Sequence, residues 1–316
     1  MDLLSLVLTL RPTTAAALPP RLGRAAHAIL LARIAAGDAA LAEAIHEGDT
    51  PRPITASELI GGRTGEQRVT PEQSYTLRYT ALTAETAAAL RTAFTLGDTL
   101  TFEGVTFTVE AIANGERPIA NDAPDGQNPK SKIENRKSKI KNQKSKIQNP
   151  KSKIEDPPSP WAASDDYQSL AARYLLPSGP APASRWTFVL ASPTAFRSQG
   201  QTQPFPLPGL FFGSLVKRWN AFAPVALPEE GVKRYAEEMV VISRFSLRSA
   251  PGWERGQGER RGLRIGSIGK IAYSALNRDR YWLAVLGLLA EFALYSGVGA
   301  QTTMGMGQVR QLTNMD

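Results

Sequence analysis

The apolar positions of this chain fall into blocks whose spacing predicts strands and helices in a definite order. Leu3–Leu10 is an almost unbroken apolar run and predicts an opening strand. A helix is expected over about Arg24–Ala36, ended by Gly37. Asp38 is placed to cap a short second helix, Ala39–His46, which Gly48 would end. Strand-like stretches follow at Ile54–Ile60 and Tyr75–Leu82. Ala84–Phe94 sets Ala87, Leu90, Ala93 and Phe94 on one helical face. Gly97 and Asp98 then turn the chain into Thr99–Phe102, and Gly104 leads to a last strand, Val105–Ile112.

These elements read β-α-β-β-α-β with a helical elaboration, which is a ferredoxin-like pattern. A second half follows. Arg185–Ala191, Met239–Ser246 and Leu263–Tyr273 predict strands, and Leu210–Phe222 a helix. Arg280–Ser296 predicts a long helix with Trp282, Val285, Leu286, Leu289 and Phe292 toward a core, and Gly305–Leu312 a closing strand. The class is α+β. The expected domains are residues 1–125 and 159–316, joined by 126–158.

The joining segment differs in kind. Lys-Ser-Lys-Ile begins at Lys130, Lys137, Lys144 and Lys151, a period of seven. Only one apolar position repeats (Ile133, Ile140, Ile147, Ile154), whereas a coiled-coil seam needs two per heptad. Pro129 and Pro150 interrupt the series. A solvated low-complexity insertion is expected. It also accounts for the charge. The chain of 316 residues carries a net charge of +8, but residues 127–156 hold ten of the 37 Lys and Arg and three of the 29 Asp and Glu. The rest is close to neutral.

The absence of cysteine excludes disulfides, thiolate metal sites and a cysteine nucleophile. With only His27 and His46, a three-histidine metal site is excluded too. No metal or other cofactor is expected. The opening run lacks a basic region, and the apolar stretch near Trp282–Tyr295 carries Glu291 and is short for a bilayer. A cytoplasmic location without membrane attachment is the expectation.

Two stretches carry candidate chemistry. Gly297, Gly299, Gly305 and Gly307 join a helix to a strand. Neither a phosphate-binding Gly-Lys-Ser/Thr loop nor a dinucleotide fingerprint is present. A helix cap with a tight turn and a loop whose bare N–H groups approach phosphates both fit the pattern. Residues 244–270 hold Arg244, Arg248, Arg255, Arg260, Arg261, Arg264 and Lys270 against Glu254 and Glu259, interleaved with glycine and with Phe245 and Trp253. Such a hairpin suits an RNA backbone and a stacked base.

The glycine pattern, with Ala39–Gly48, Arg52-Pro53-Ile54-Thr55, Leu190–Arg197 and Leu215–Asn220, resembles the CRISPR-associated repeat-processing endoribonucleases of the RAMP superfamily. The resemblance spans both halves and omits the insertion. It implies two tandem ferredoxin-like (RRM-like) domains with a C-terminal glycine-rich loop. It also implies metal-independent cleavage of CRISPR precursor RNA within its repeats, by attack of a 2′-hydroxyl that leaves a 2′,3′-cyclic phosphate and a 5′-hydroxyl. The alternative is a non-catalytic repeat-RNA-binding protein or a subunit of a CRISPR ribonucleoprotein.

His46 occupies the position of the family's catalytic histidine, as acid or as base. His27 is the competing histidine, and Arg52 aligns with a lysine of the same constellation. The family's tyrosine position falls on Leu31, which moves no proton. For RNA binding the resemblance implicates Gly297, Gly299, Gly305 and Gly307, and the basic hairpin adds Arg244, Arg248, Arg264 and Lys270. The expected partner is CRISPR precursor RNA, with an effector complex or a second copy of the chain as further partners.

Overall fold

The computed structural model describes residues 1–47, 51–61, 67–115, 159–176, 182–252 and 264–312. The repeat segment, Gly48 and the tip of the basic hairpin, including Arg255, Arg260 and Arg261, lie outside the described residues.

In chain order the first half comprises β1 (Leu3–Pro12), β2 (Ala16–Leu18), α1 (Gly23–Gly37), α2 (Ala39–Glu47), β3 (Ile54–Ala56), β4 (Gln67–Val69), β5 (Tyr75–Ala81), α3 (Ala84–Thr92), β6 (Thr99–Phe102) and β7 (Val105–Ala113). The second comprises β8 (Ala163–Asp165), α4 (Tyr167–Leu175), β9 (Arg185–Thr194), β10 (Phe196–Ser198), β11 (Gln201–Gln203), α5 (Pro208–Phe222), α6 (Glu229–Met239), β12 (Val240–Pro251), β13 (Ile265–Ala275), α7 (Arg280–Ser296) and β14 (Val309–Gln311).

The first sheet runs β3-β5-β1-β7-β6 and the second β12-β13-β9-β14, all pairs antiparallel. Without the edge strand β6, both have one order: the opening strand lies in the middle, between the third and fourth strands of its unit. That is the ferredoxin-like arrangement, present twice.

Residues Leu4, Leu6, Leu8 and Leu10 of β1 share a core with Ala26, Leu30 and Ile34 of α1 and Ala87 and Leu90 of α3. The other face of β1 is buried as well. Leu3 joins the second half's core, built on Trp186, Phe188, Phe211, Phe212, Trp219, Tyr273 and the inner side of α7. This is why β1 reads as an unbroken apolar run rather than an alternating one.

The halves are tied by Arg78 of β5. It is 3% exposed, with no ion pair to an acid among the described residues. Its Nε donates to Ser5 Oγ at 2.8 Å, and its two Nη groups donate to Gln308 Oε1 and to the Leu294 carbonyl. The guanidinium groups of Arg78 and Arg310 both lie over the Trp161 ring, at 5.2 and 5.5 Å from its centre.

Several expectations meet local differences. Ile54–Ile60 is a strand only to Ala56, and Ser57 and Ile60 continue as single bridges. The closing strand is Val309–Gln311, because Gly305 and Gly307 have positive φ. Helices α4 and α6 are additional. The expected division at residue 159 assigns β8 to the second half, yet its three residues pair with Leu3–Ser5 of β1. No helix among the described residues is long and apolar enough to cross a membrane.

Candidate active site

Helix α1 lies on the first sheet through Ala26, Leu30 and Ile34, and this places His27 at its buried flank, 5% exposed. Asp38 caps α2 by accepting from Leu41 N at 2.9 Å, and the last turn of α2 carries His46, exposed. Arg52, in the link to β3, connects the two. Its Nη1 lies 3.3 Å from His27 Nε2 and its Nη2 donates to the His46 carbonyl at 2.7 Å.

A guanidinium only donates, so His27 Nε2 accepts and its proton sits on Nδ1. That Nδ1 is buried without a partner among the described residues. Burial, then the charges of Arg52 and His46, push the His27 imidazole down to about 4, so it is neutral at physiological pH. Leu31, one turn further along α1, is half-buried.

Arg52 also faces a cleft of about 780 Å³. Arg197, Lys217, Arg218, Lys233 and Arg264 line it too, with Glu229 as the one acid among the described lining residues. The apolar part of the wall is Phe196, Leu210 and Met304, and Gly299–Met304 supplies the rest. Six cations against one carboxylate make a cleft suited to a polyanion.

The glycine-rich loop owes its shape to internal contacts. Gly297, Gly299, Gly305 and Gly307 have φ of 62°, 76°, 90° and 68°, a region glycine enters freely. A Cβ would meet Ala195 O at 2.3 Å from Gly299, Glu58 Cγ at 2.4 Å from Gly305 and Val298 O at 2.1 Å from Gly307. All four N–H groups are engaged by the protein. Gly297 donates to Ala293 O at 3.0 Å, Gly299 to Ser214 Oγ at 3.1 Å, Gly305 to Ala56 O at 3.0 Å and Gly307 to Pro193 O at 3.1 Å.

The expectation that these N–H groups serve an incoming phosphate is therefore corrected. The donors close the protein on itself, because a loop pressed between both halves must satisfy its own buried backbone. What faces the cleft is the rim, Gly299–Met304.

Arg218 holds this loop from α5. It is half-buried and donates to Ser296 O and Gly299 O, both at 3.0 Å, and desolvation lowers its guanidinium to about 10. The Lys217-Arg218-Trp219-Asn220 motif thus divides its work. Lys217 faces the cleft, Arg218 caps α7, Trp219 fills the core, and Asn220 makes two 2.8 Å bonds to Leu227.

The remaining basic residues lie elsewhere. In the second sheet Ser246, Lys270, Val189 and Arg310 form one cross-strand row. The neighbouring row, Leu247, Gly269, Leu190 and Val309, faces the helices, with Leu190 and Val309 fully buried. Arg244 and Arg248 alternate with Ser246, and Arg185 is in phase with Val189, so all share the helix-free face. Arg185, Arg244, Arg248 and Lys270 are exposed. The four strands contain no Asp or Glu. Of the expected residues, then, Arg52, Gly299 and Arg264 meet in the cleft, His27 and His46 adjoin it through Arg52, and Arg244, Arg248 and Lys270 belong to the sheet face.

Sequence reasoning missed Arg78, Arg218, Lys217, Lys233 and Arg197. Only the apolar neighbours of Arg218 hinted at burial.

Residues 189–309, from β9 through the glycine-rich loop to β14, match the sequence model of the family described as CRISPR-associated endoribonuclease Cas6. Over this stretch the chain is similar to the Cas6 family. CRISPR-associated endoribonuclease Cas6 of Mycobacterium tuberculosis is 29% identical over 119 residues, 38% of this chain and 36% of that protein, so the match spans about a third of the curated relative. The fold extends much further. A solved Cas6 product complex superposes with a TM-score of 0.65 at 23% identity, covering 99% of this chain and 100% of that one. Thermus thermophilus Cas6 gives 0.64 at 20% identity, over 98% of each. Within the Cas6 match the loop and α5 are included, whereas the cluster of His27, His46 and Arg52 lies outside it, in the first half.

Proposed function

We propose that the chain is an endoribonuclease that binds CRISPR precursor RNA and cuts it within the repeat. The observation that carries the reading is Arg52. One guanidinium touches both histidine-bearing helices and lines a strongly basic cleft. The chemistry that suits these groups is transesterification. The 2′-hydroxyl oxygen forms a bond to the adjacent phosphorus and gives up its proton, the phosphorus–5′-oxygen bond breaks, and the leaving oxygen takes a proton. The products are a 2′,3′-cyclic phosphate and a 5′-hydroxyl.

His46, exposed at the end of α2, exchanges a proton with the reacting oxygens. Arg52 and Lys217 stabilise the charge on phosphorus. His27, buried and neutral, orients Arg52. The acid-free face of the second sheet, with Arg244, Arg248 and Lys270, holds RNA that runs beyond the cleft, as single strands are held by spaced cations. The domain division at 1–125 and 159–316 belongs to the same reading.

The test is cleavage of the CRISPR repeat RNA from the same genome. His46→Ala is expected to slow single-turnover cutting by about 10²–10⁴ while binding persists. A deoxy substitution at the cut site should stop cleavage by the unaltered protein. Cutting at an undiminished rate by His46→Ala would remove His46 from the chemistry. Tight binding with no cutting by the unaltered protein would favour a non-catalytic binding protein, a reading the apolar Leu31 supports.

A further inference from the structure

Gln301 stands apart in its loop. Positive φ occurs at Gly297, Gly299, Gln301, Gly305 and Gly307, and a side chain is retained at only one of the five. Gln301 sits at φ 58°, ψ 38°, a conformation glycine would hold with less strain. Its backbone has an evident role, since the carbonyl accepts from Met304 N at 3.0 Å and Met306 N at 3.3 Å and closes the turn. A glycine would do that equally well, so the turn does not account for the side chain.

Nor does the protein use that side chain. Gln301 Oε1 is buried and accepts no hydrogen bond among the described residues. Gln308 provides the contrast, with Oε1 accepting from Arg78 and Nε2 donating to Ala56 O at 3.3 Å. An acceptor buried without a donor is unfavourable unless a ligand supplies one. Gln301 lines the cleft beside the apolar wall of Phe196, Leu210 and Met304, in the same cavity as Arg52. Apolar surface next to one amide is what a flat heterocycle with a polar edge would fill.

We propose that Gln301 is a specificity-determining residue whose amide accepts a hydrogen bond from the exocyclic amino group of an adenine or cytosine beside the cut. The base lies against the apolar wall. Guanine and uracil present a carbonyl at the corresponding position and would set two acceptors face to face. The inference rests on the reading of the cleft as the site of RNA cleavage.

The repeat RNA of the same genome, synthesised with each base in turn at the nucleotides flanking the cut, tests it through kcat/KM. The unaltered protein should prefer an amino-bearing base at one of these positions by about tenfold or more. Where that base is adenine, purine riboside should reproduce the loss. Gln301→Gly, which relieves the backbone, should fold at least as well and lose the preference at that position alone. A preference unchanged in folded Gln301→Gly, or no preference in the unaltered protein, overturns the inference and leaves the cleavage reading standing. Failure of the unaltered protein to cut any repeat RNA overturns both.

Discussion

Two ionisable groups near the site, buried His27 and half-buried Glu58, push the pH response of folding in opposite directions. His27 is held down to about 4 by burial. A depressed value means that the unfolded chain binds the extra proton first, so stability falls as pH drops from about 6.5 through about 4. Glu58 touches Gly305 and is raised by burial to about 7, against the pull of Arg21 and the Leu22 N–H. A raised value means the opposite: its contribution is full below about 4.5 and is lost as pH rises through 7. Between about pH 4.5 and 6.5 the two slopes oppose each other. Glu58→Gln should stabilise the protein at pH 8 by on the order of 1–3 kcal/mol and leave it little changed at pH 5. His27→Gln should instead flatten the loss of stability in acid. Urea unfolding midpoints at four pH values read both, and parallel profiles for the two variants would contradict the assignment.

At the scale of elements, the glycine-rich loop is a joint between the halves, and its substitutions act on stability first. Gly307→Ala places a methyl 2.1 Å from Val298 O at φ 68° and should cost on the order of 3 kcal/mol. Arg218→Met removes both donors from Ser296 O and Gly299 O and should cost roughly 1–3 kcal/mol, because Ser296 is buried and Gly299 half-buried. Thermal unfolding measures each loss. A variant that unfolds at the wild-type temperature would show that the loop tolerates an open joint. The sheet face behaves differently. Replacing Arg244, Arg248 and Lys270 together by alanine should leave unfolding unchanged, since all three are exposed. The slope of log affinity for single-stranded repeat RNA against log salt should fall by about 2, from ~0.7 per lost phosphate contact.

For the whole molecule, the two ferredoxin-like units share β1, Arg78 and the loop, and the repeat segment adds no second apolar position per heptad with which to join either core. Deleting residues 127–156 should leave the unfolding temperature and most of the cleavage rate intact. A hundredfold loss of rate, about 2.7 kcal/mol of barrier, would give the segment a part in RNA handling.

The sequence by itself determined the elements whose pattern is local. The strand at Leu3, the Asp38 cap, helix α3 and helix α7 follow from apolar spacing and from residues a few places apart, and the first β-α-β-β-α-β order was legible in them. Arg244, Arg248 and Lys270 could be picked out as a basic group because they lie on two strands of one hairpin. Only the tertiary structure decided where charge is buried and which groups meet. Nothing near Arg78 marks it as a buried tie, since its acceptors come from Ser5, Leu294 and Gln308. The spacing of the glycines suggested bare N–H groups, but their partners are residues as distant as Ala56 and Pro193. The cleft draws Arg52 from the first half and Lys217, Lys233 and Arg264 from the second. The physical reason is the same throughout: caps and faces are satisfied within a turn or a strand pair, whereas a buried cation or a left-handed loop is satisfied by whatever the fold brings to it.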